Sequence, residues 1–239
     1  MTELPRHTTN AKTTAAPATK IHPMEEVGKP GGLRARKKQR THQLIADTAL
    51  ELFLERGFDA VTIADVARRA DVDVKTIYNY FESKPDLFYH RLEAFQASLL
   101  GAIRDRDADE SVLVAFSRFL LASQGYLADE TATAKLRATI EMIVGSPALL
   151  AYEEQVYARF TAALADLLAK ETSARADDVE PSVIAHALIG LHRSLVAYVR
   201  AGTLAGTPNA TLARGVRAQA KKAVATLELG LAGYGTQRS

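Results

Sequence analysis

The sequence predicts an all-α fold, and three observations support this prediction. Apolar residues recur at steps of three and four along most of the chain, which is the spacing of one face of a helix. The composition is rich in alanine and leucine, which are strong helix formers. No run of residues alternates apolar and polar side chains between turn residues, as a half-buried strand does. We expect about nine helices, divided between a small N-terminal domain and a larger helical bundle.

Composition and charge narrow the class of protein. The chain has 47% hydrophobic and 24% charged residues, which is typical of a soluble protein, and no cysteine for disulfides or thiolate metal sites. Its first 30 residues lack the apolar stretch of a secretory signal, so we expect a cytoplasmic protein. Residues 1–41 have a net charge of +6 and the remainder −4. Clustered cations favour contact with a polyanion, and a solubilising tail is the alternative.

The chain begins with an irregular segment and a basic amphipathic helix. Residues 1–32 are rich in proline, glycine and threonine without apolar periodicity, which predicts a disordered basic tail. Order is expected to begin at residues 33–36, and Gly57 ends the first helix. The predicted core face of that helix consists of Leu44, Ile45, Ala49, Leu52 and Phe53.

Residues 62–81 predict a helix-turn-helix. Thr62 is placed to cap the first of its two helices, with Asp65 three residues later as the partner of a capping box. Residues 71–73 interrupt that helix, and Asp73 can cap the next one. A short helix pair ahead of a long helical body is typical of proteins that place one helix in a DNA groove.

A longer connecting helix at 85–104 follows, with Ser83 as its cap and Pro85 in its first turn. Beyond it we expect a helical bundle at 105–233 and a tail at 234–239. Gly145 to Pro147 should end the second helix of the bundle, and Gly202 and Gly206 the fourth. The five predicted helices lie at about 111–128, 131–145, 148–171, 180–203 and 209–232.

The segment GFDAVTIADVARRADVDVKTIYNYFESKPDLF, residues 57–88, carries a family resemblance. It combines a Gly-aromatic turn, a threonine cap, a short helix of A-x-x-A type, the pattern T-x-Y-x-Y-F and a lysine at the next helix. Over residues 39–99 the chain resembles the DNA-binding domain of the TetR family of bacterial transcriptional regulators. The resemblance implies a homodimer with a DNA-binding domain at 33–84 and a C-terminal domain for effector binding and dimerisation.

The resemblance and the residue chemistry together predict the DNA contacts. Lysines and hydroxyls bind phosphates, whereas base edges are recognised by hydrogen bonds and methyl contacts in the major groove. The resemblance implies phosphate contacts by Thr62 and Lys84. Lys75 could donate to guanine, and Asn79 could contact a base edge or a phosphate. The predicted set is Arg36, Lys37, Lys38, Arg40, Thr62, Val74, Lys75, Thr76, Tyr78, Asn79, Tyr80 and Lys84.

Some of these residues have alternatives. Tyr78 and Phe81 could belong to the core of the small domain. Asp73 occupies a position where the family commonly has serine, and its carboxylate would repel a nearby phosphate. The basic residues from Arg36 to Arg40, just ahead of the first helix, could follow the phosphate backbone or enter the minor groove.

An effector site in the bundle is implied by the resemblance alone. The candidate lining residues are Phe116, Phe119, Tyr126, Arg137, Glu141, Met142, Tyr152, His192 and Arg193. Polar groups in apolar stretches need partners. Arg137, His192 and Arg193 could therefore bind an acidic group on an apolar effector, or form salt bridges with Glu141 or a partner subunit.

Small residues on the last two helices favour close helix contact and hence a dimer interface, with an intrachain bundle as the alternative. They are Ala187, Gly190, Ser194, Ala197, Ala201, Ala218, Ala223, Ala225 and Gly230.

No motif favours an enzyme, a metal site or a cofactor. His186 and His192 are six residues apart and do not share a helix face, and the chain has no G-x-S-x-G. We expect a nucleoid-associated repressor whose homodimer binds a palindromic operator in double-stranded DNA and is released by an unidentified small-molecule effector. The alternative is a DNA-binding or architectural protein whose body only dimerises or docks a protein partner.

Overall fold

The computed structural model describes residues 32–123, 127 and 133–231. Over these residues the chain forms nine α-helices and no strand, which confirms the predicted fold class. Most of the predicted tails, residues 1–31 and 234–239, lie outside the described residues. The helices are α1 Leu33–Arg56, α2 Ile63–Arg69, α3 Val74–Tyr78, α4 Lys84–Arg104, α5 Val112–Ala122, α6 Thr133–Gly145, α7 Pro147–Thr172, α8 Glu180–Leu204 and α9 Asn209–Leu231.

The helix boundaries follow from local capping chemistry. Gly57 ends α1 with φ 85°, and its amide donates to the Phe53 carbonyl at 2.8 Å. Ser83, Ser111 and Ser146 each accept a hydrogen bond from the amide three residues further on. The predicted ends of α1 and α6 and the predicted starts of α2 and α4 are therefore confirmed to within two residues.

Two predicted features of the helices are wrong. Leu44 is 52% exposed, because the buried side of α1 begins one residue later at Ile45. α5 ends at Ala122 instead of continuing to residue 128. Ser123 occupies the C-cap position, and its amide donates to the Phe119 carbonyl.

Gly202 does not end α8 as predicted, because it lies inside the helix. A Cβ atom at this position would lie 2.3 Å from Leu212 Cδ2 of α9, so any larger residue would force the buried Leu212 side chain to move. Gly206, with φ 76°, follows the helix end as expected.

Replacing Gly202 by alanine should therefore destabilise the protein by about 1–3 kcal/mol, because the buried Leu212 must move. Gly101→Ala in α4 is the matched control, since a Cβ there meets only Arg104 at 3.8 Å. This control should stabilise the protein by about 0.5–1 kcal/mol. Urea unfolding measures the free energy of unfolding of both variants. A change of the same sign in both would contradict the close-approach role of Gly202.

The buried apolar side chains form two clusters that meet at α4. The N-terminal cluster is formed mainly by α1 to α4, and it also contains Ile143, Leu149 and Val156 from α6 and α7. The bundle cluster is formed by α4, α5, α7, α8 and α9. Leu92 of α4 packs against both clusters. Apolar contact therefore joins the N-terminal domain to the bundle.

α8 is the central helix of the bundle, and it packs against α7 and α9. Its length, and the mean hydropathy of 1.3 over one 18-residue stretch of it, would also suffice for a membrane span. Core helices of water-soluble proteins share these properties, and the buried side of α8 contributes Leu188, Leu191, Leu195 and Val199 to the bundle cluster.

Candidate nucleic-acid interface

The first helix of the helix-turn-helix begins with a complete capping box. The Thr62 hydroxyl accepts a hydrogen bond from the Asp65 amide at 3.1 Å, and the Asp65 carboxylate accepts one from the Thr62 amide at 2.9 Å. The hydroxyl also donates to this carboxylate at 2.6 Å, and these bonds lower the pKa of Asp65. The predicted cap is therefore confirmed. The phosphate contact of Thr62 stays a prediction, and it would require the hydroxyl hydrogen to leave Asp65.

One face of α3 is exposed, as DNA contact requires. Tyr78 is 56% exposed, so the alternative that it belongs to the core is wrong. Ammonium, amide, phenol and methyl groups on this face are suited to phosphates and base edges. The exposed residues are Val74, Lys75, Tyr78 and Asn79, and the half-buried residues at the edges are Thr76 and Tyr80.

Two residues, Ile77 and Phe81, anchor α3 from its buried side, with exposures of 0% and 2%. The Phe81 ring stacks on His42 of α1, with 4.4 Å between ring centroids. His42 also lies 6.2 Å from the Tyr80 ring in an edge-on arrangement. Phe81 is therefore a core residue, and α1 positions α3 through an imidazole that the sequence pattern does not reveal.

The turn between α2 and α3 contains a left-handed residue. Asp71 has φ 54°, a conformation that aspartate tolerates better than most residues. Asp73 occupies the N-cap position of α3, but its side chain makes no capping hydrogen bond, so its predicted capping role is wrong. Its carbonyl closes the first turn by accepting from the Thr76 amide at 2.8 Å. The exposed Asp73 carboxylate would still repel a nearby phosphate.

An open concavity of about 530 Å³ between α2 and α3 adds Arg68 to the candidate contacts. The Arg68 side chain is 75% exposed, and its guanidinium nitrogen lies 3.3 Å from an Asp65 carboxylate oxygen. Arg68 is not among the contacts predicted from the sequence, although consecutive arginines at the end of a helix that precedes a recognition helix could have indicated one. The lining residues are Ala67, Arg68, Asp71, Val72, Asp73 and Thr76.

Lys84 lies in the first turn of α4 and is half-buried. Its Nζ lies 4.2 Å from the centroid of the Phe58 ring and donates to the Asp59 carbonyl at 3.4 Å. Burial lowers the pKa of this ammonium group. A phosphate contact by Lys84 stays a prediction, and it would use the donors that Asp59 leaves open.

The basic residues that we expected just ahead of the first helix lie inside it. Arg36, Lys37, Lys38 and Arg40 occupy the first turns of α1, and all four are exposed. A helix with its side chains is about 10–12 Å wide, whereas the minor groove of B-DNA is about 6 Å wide. Of the two predicted modes, the helical conformation therefore favours contact along the phosphate backbone.

The aromatic candidates for the effector site, together with Met142, divide between the two clusters. Phe116 is fully buried in the bundle cluster, and Phe119 packs at its edge. Met142 and Tyr152 pack against the N-terminal cluster instead. Tyr126 lies outside the described residues. The structure thus does not bring the predicted lining residues together in one place.

Two of the three polar candidates form salt bridges. Arg137 donates to Glu141 through a 2.8 Å contact, and Arg193 pairs with Glu154. The salt-bridge alternative is therefore the one that the structure supports for both arginines, although the partner of Arg193 was not predicted. His192 differs, because it is buried and both of its ring nitrogens lack a hydrogen-bond partner among the described residues.

A buried ion pair joins α7 to α8. Arg200 donates two hydrogen bonds to the Glu153 carboxylate at 2.8 and 3.2 Å, and the two side chains are 20% and 10% exposed. Tyr89 and Tyr157 lie close to this pair, and burial raises the pKa of both phenols. Sequence reasoning missed the pair because its members are 47 residues apart and meet only through helix packing.

The outer side of α8 and α9 carries an apolar groove of about 430 Å³. Its residues are Ala187, Leu191, Ser194, Leu195, Tyr198, Gln219, Ala223, Thr226 and Leu227. Most of the predicted small residues beside this groove are exposed, which does not support the intrachain alternative. The exposed ones are Gly190, Ser194, Ala197, Ala201, Ala218, Ala225 and Gly230.

Comparison with known families accounts for both parts of the chain. Residues 45–90 match the family model of bacterial regulatory proteins of the tetR family. Residues 110–225 match the model of the MftR C-terminal domain. The second match covers the bundle, whose subfamily was not identified from the sequence motifs.

Curated relatives are similar over different lengths. The chain is 29% identical over 163 residues to the proposed mycofactocin biosynthesis transcriptional regulator MftR of Mycobacterium tuberculosis, covering 65% of this chain and 78% of that protein. It is 34% identical over 98 residues to the HTH-type transcriptional regulator TcmR of Streptomyces glaucescens, covering 41% of this chain and 43% of TcmR.

Solved structures share the fold at low sequence identity. A SmeT–triclosan complex matches with a TM-score of 0.53 and 18% identity, over 79% of this chain and 91% of SmeT. A protein described as a TetR-family transcriptional regulator from Syntrophomonas wolfei matches with a TM-score of 0.52 and 19% identity, over 78% of this chain and 96% of that chain.

Proposed function

The chain belongs to the TetR family of bacterial transcriptional regulators and is a DNA-binding regulator rather than an enzyme. From this premise we propose that it is a nucleoid-associated repressor whose homodimer binds a palindromic operator and is released by a small-molecule effector. The observation that carries the DNA-binding part is the exposed face of α3, held in place by the buried Ile77 and Phe81.

A twofold dimer would present α3 twice, once to each half of a palindromic site. The groove between α8 and α9 supports dimerisation through these helices. Exposed glycine and alanine on both helices allow a second pair of helices to approach closely, and Tyr198, which is 39% exposed, offers apolar area to bury.

Release by an effector needs a connection between the bundle and α3, and α4 supplies the connection. The Tyr89 hydroxyl of α4 donates to the Leu149 carbonyl of α7 at 3.2 Å, and the Tyr89 ring stacks on Tyr152 at 5.8 Å. Arg159 of α7 pairs with Glu93 of α4 at 3.1 Å. A shift of α7 on effector binding would thus move α4 and the small domain. The triclosan complex of SmeT, which shares the fold, supports a small-molecule effector.

Two measurements test this proposal together. DNase protection of the DNA upstream of the protein's own gene should reveal an operator with two symmetric half-sites. A thermal-shift screen should then find a ligand whose affinity falls when operator is bound, because linkage requires the effector and the DNA to weaken each other by the same factor. Protection without sequence preference, together with ligands that bind equally well with and without operator, would instead indicate an architectural protein.

The basic turns of α1 should add affinity rather than specificity. Replacing Arg36, Lys37 and Lys38 by glutamine should flatten the plot of log K against log salt by about 0.9 for each phosphate that the protein no longer neutralises. Preference for operator over unrelated DNA should change little, because phosphates carry no sequence information. Fluorescence anisotropy at several salt concentrations measures both quantities.

The matched control for these three substitutions is the neutralisation of Lys135, Lys170 and Arg175, which are exposed outside α8 and α9. It alters the net charge of the protein equally but leaves α1 intact. An equal change of slope in the two triple variants would show that the effect depends on total charge and not on the position of the α1 cations.

A further inference from the structure

His192 is the buried titratable group that the salt bridges of the bundle leave unused. It lies on α8 at 7% exposure, and neither ring nitrogen has a hydrogen-bond partner among the described residues. A buried polar group without a partner costs about 1–3 kcal/mol, so such a position is retained at a cost in stability. The other polar candidates from the sequence, Arg137 and Arg193, are already paired.

Aromatic side chains lead from the surface of the bundle to this imidazole. Phe95 of α4 stacks on the His192 ring with 5.0 Å between centroids and a 20° angle between planes. Phe119 of α5 lies 5.3 Å from Phe95, and both phenylalanines are only partly buried. The centroid of the Tyr157 ring of α7 lies 6.0 Å from that of the His192 ring, with a 58° angle between the planes. An apolar group that displaced Phe95 would thus take its place on the face of the imidazole, and a polar substituent of that group could reach past the ring edge toward a ring nitrogen.

Gln96, the neighbour of Phe95 on α4, is also buried, and its side-chain nitrogen has no hydrogen-bond partner among the described residues. α4 and α8 therefore each carry a buried polar side chain with a nitrogen that has no hydrogen-bond partner among the described residues. Both groups are neutral hydrogen-bonding groups.

The electrostatic environment of His192 disfavours a charged group on the effector. Burial lowers the pKa of His192 to about 4, so its imidazole is neutral at pH 7 and can donate from one nitrogen and accept at the other. The nearest cations along α8 are already neutralised, because Arg193 pairs with Glu154 and Arg200 pairs with Glu153. A carboxylate placed beside His192 would lose its hydration without gaining a counter-ion.

We propose that His192 is the polar recognition residue of the effector site, and that the part of the effector entering between α4, α5 and α8 is an uncharged apolar group carrying a hydroxyl or carbonyl. This inference rests on the proposed function and replaces the acidic group that was expected from the sequence. The unpaired imidazole and the aromatic side chains beside it are the observations that support it. The hydrogen bond between effector and imidazole would form only in the effector-bound protein, and so it would stabilise that conformation selectively.

Three probes with the same ring system separate the possibilities: naphthalene, 2-naphthol and 2-naphthoate. Binding of each to the full-length protein is measured by fluorescence titration. We expect 2-naphthol to bind more tightly than both others. Tighter binding of naphthalene or naphthoate, or no binding of 2-naphthol, would overturn the proposal.

Variants of His192 assign the preference to the imidazole. His192→Leu should weaken 2-naphthol binding by about 5- to 100-fold, the equivalent of one hydrogen bond, and leave naphthalene binding nearly unchanged. His192→Gln should retain part of the preference, because its amide also donates and accepts. Thr203→Val is the matched control, since Thr203 is a buried polar residue about 16 Å further along α8.

Thermal unfolding without any probe gives an independent readout. Leucine removes an unpaired polar group, so the Tm of His192→Leu should equal or exceed that of the original protein. A clear fall in Tm would show that a buried water or another partner satisfies the imidazole in the free protein, which would overturn the proposal.

Operator binding distinguishes this inference from the proposed function. All variants should bind the operator as the original protein does. A different molecule that releases the operator equally from the original protein and from His192→Leu would refute the role of His192 but leave the repressor function intact. Selective binding of 2-naphthol without effect on DNA would support the role of His192 and contradict release by this site.

Discussion

Replacing Glu153 by alanine should lower the free energy of unfolding by about 3–5 kcal/mol. The substitution leaves the Arg200 guanidinium charged and largely buried between α7 and α8, with neither of its two hydrogen bonds to the carboxylate. Guanidinium-chloride unfolding, followed by far-UV circular dichroism, measures this loss. We expect the midpoint to fall with little change in the slope of the transition.

The double variant Glu153→Met, Arg200→Met is the informative control. It removes both charges and fills most of the space with unbranched apolar side chains, so it should be much more stable than Glu153→Ala. If the double variant were as unstable as the single one, packing at these positions would account for the loss and the ion pair would not.

Replacing Lys75 by alanine should weaken operator binding by about 2–6 kcal/mol. A good base contact provides about 1–3 kcal/mol, and the proposed dimer makes the contact twice. Protein stability should change by less than about 0.5 kcal/mol, because the side chain is exposed and serves no packing role. Anisotropy titrations with the mapped operator and with unrelated DNA at one salt concentration measure the affinity and the specificity ratio.

Lys135→Ala is the matched control for this substitution, because Lys135 is an exposed helical lysine on α6, away from the helix-turn-helix. It should leave operator binding nearly unchanged. If Lys75→Ala reduced binding to operator and to unrelated DNA by the same factor, Lys75 would contact a phosphate rather than a base.

Local sequence signals predicted the helices well because helix ends depend on nearby residues. The Thr62 capping box, the Ser83 cap with Pro85 and the left-handed Gly57 each involve groups within a few positions of one another. Where a local rule failed, as at Asp73, the backbone carbonyl closed the first helical turn without help from the side chain.

Contacts between distant helices could not be predicted in the same way. The Glu153–Arg200 pair, the stacking of His42 on Phe81 and the pairing of Arg193 with Glu154 depend on how helices pack across the bundle. For the candidate site, residue types on α3 indicated DNA contact, but their exposure separated Tyr78 from Phe81. The effector residues were harder to predict, because a buried aromatic side chain looks alike in sequence whether it packs or binds.

The N-terminal apolar cluster has a consequence for how this protein can be divided. Ile143, Leu149 and Val156 of the bundle are buried among side chains of α1 to α4, so a fragment ending after α4 would expose the apolar surface that these residues cover. The segment from α1 to α4, which contains the helix-turn-helix, therefore should not fold stably without the bundle. A chimera that places it on another regulator's bundle must also carry the end of α6 and the start of α7, or aggregation will compete with folding.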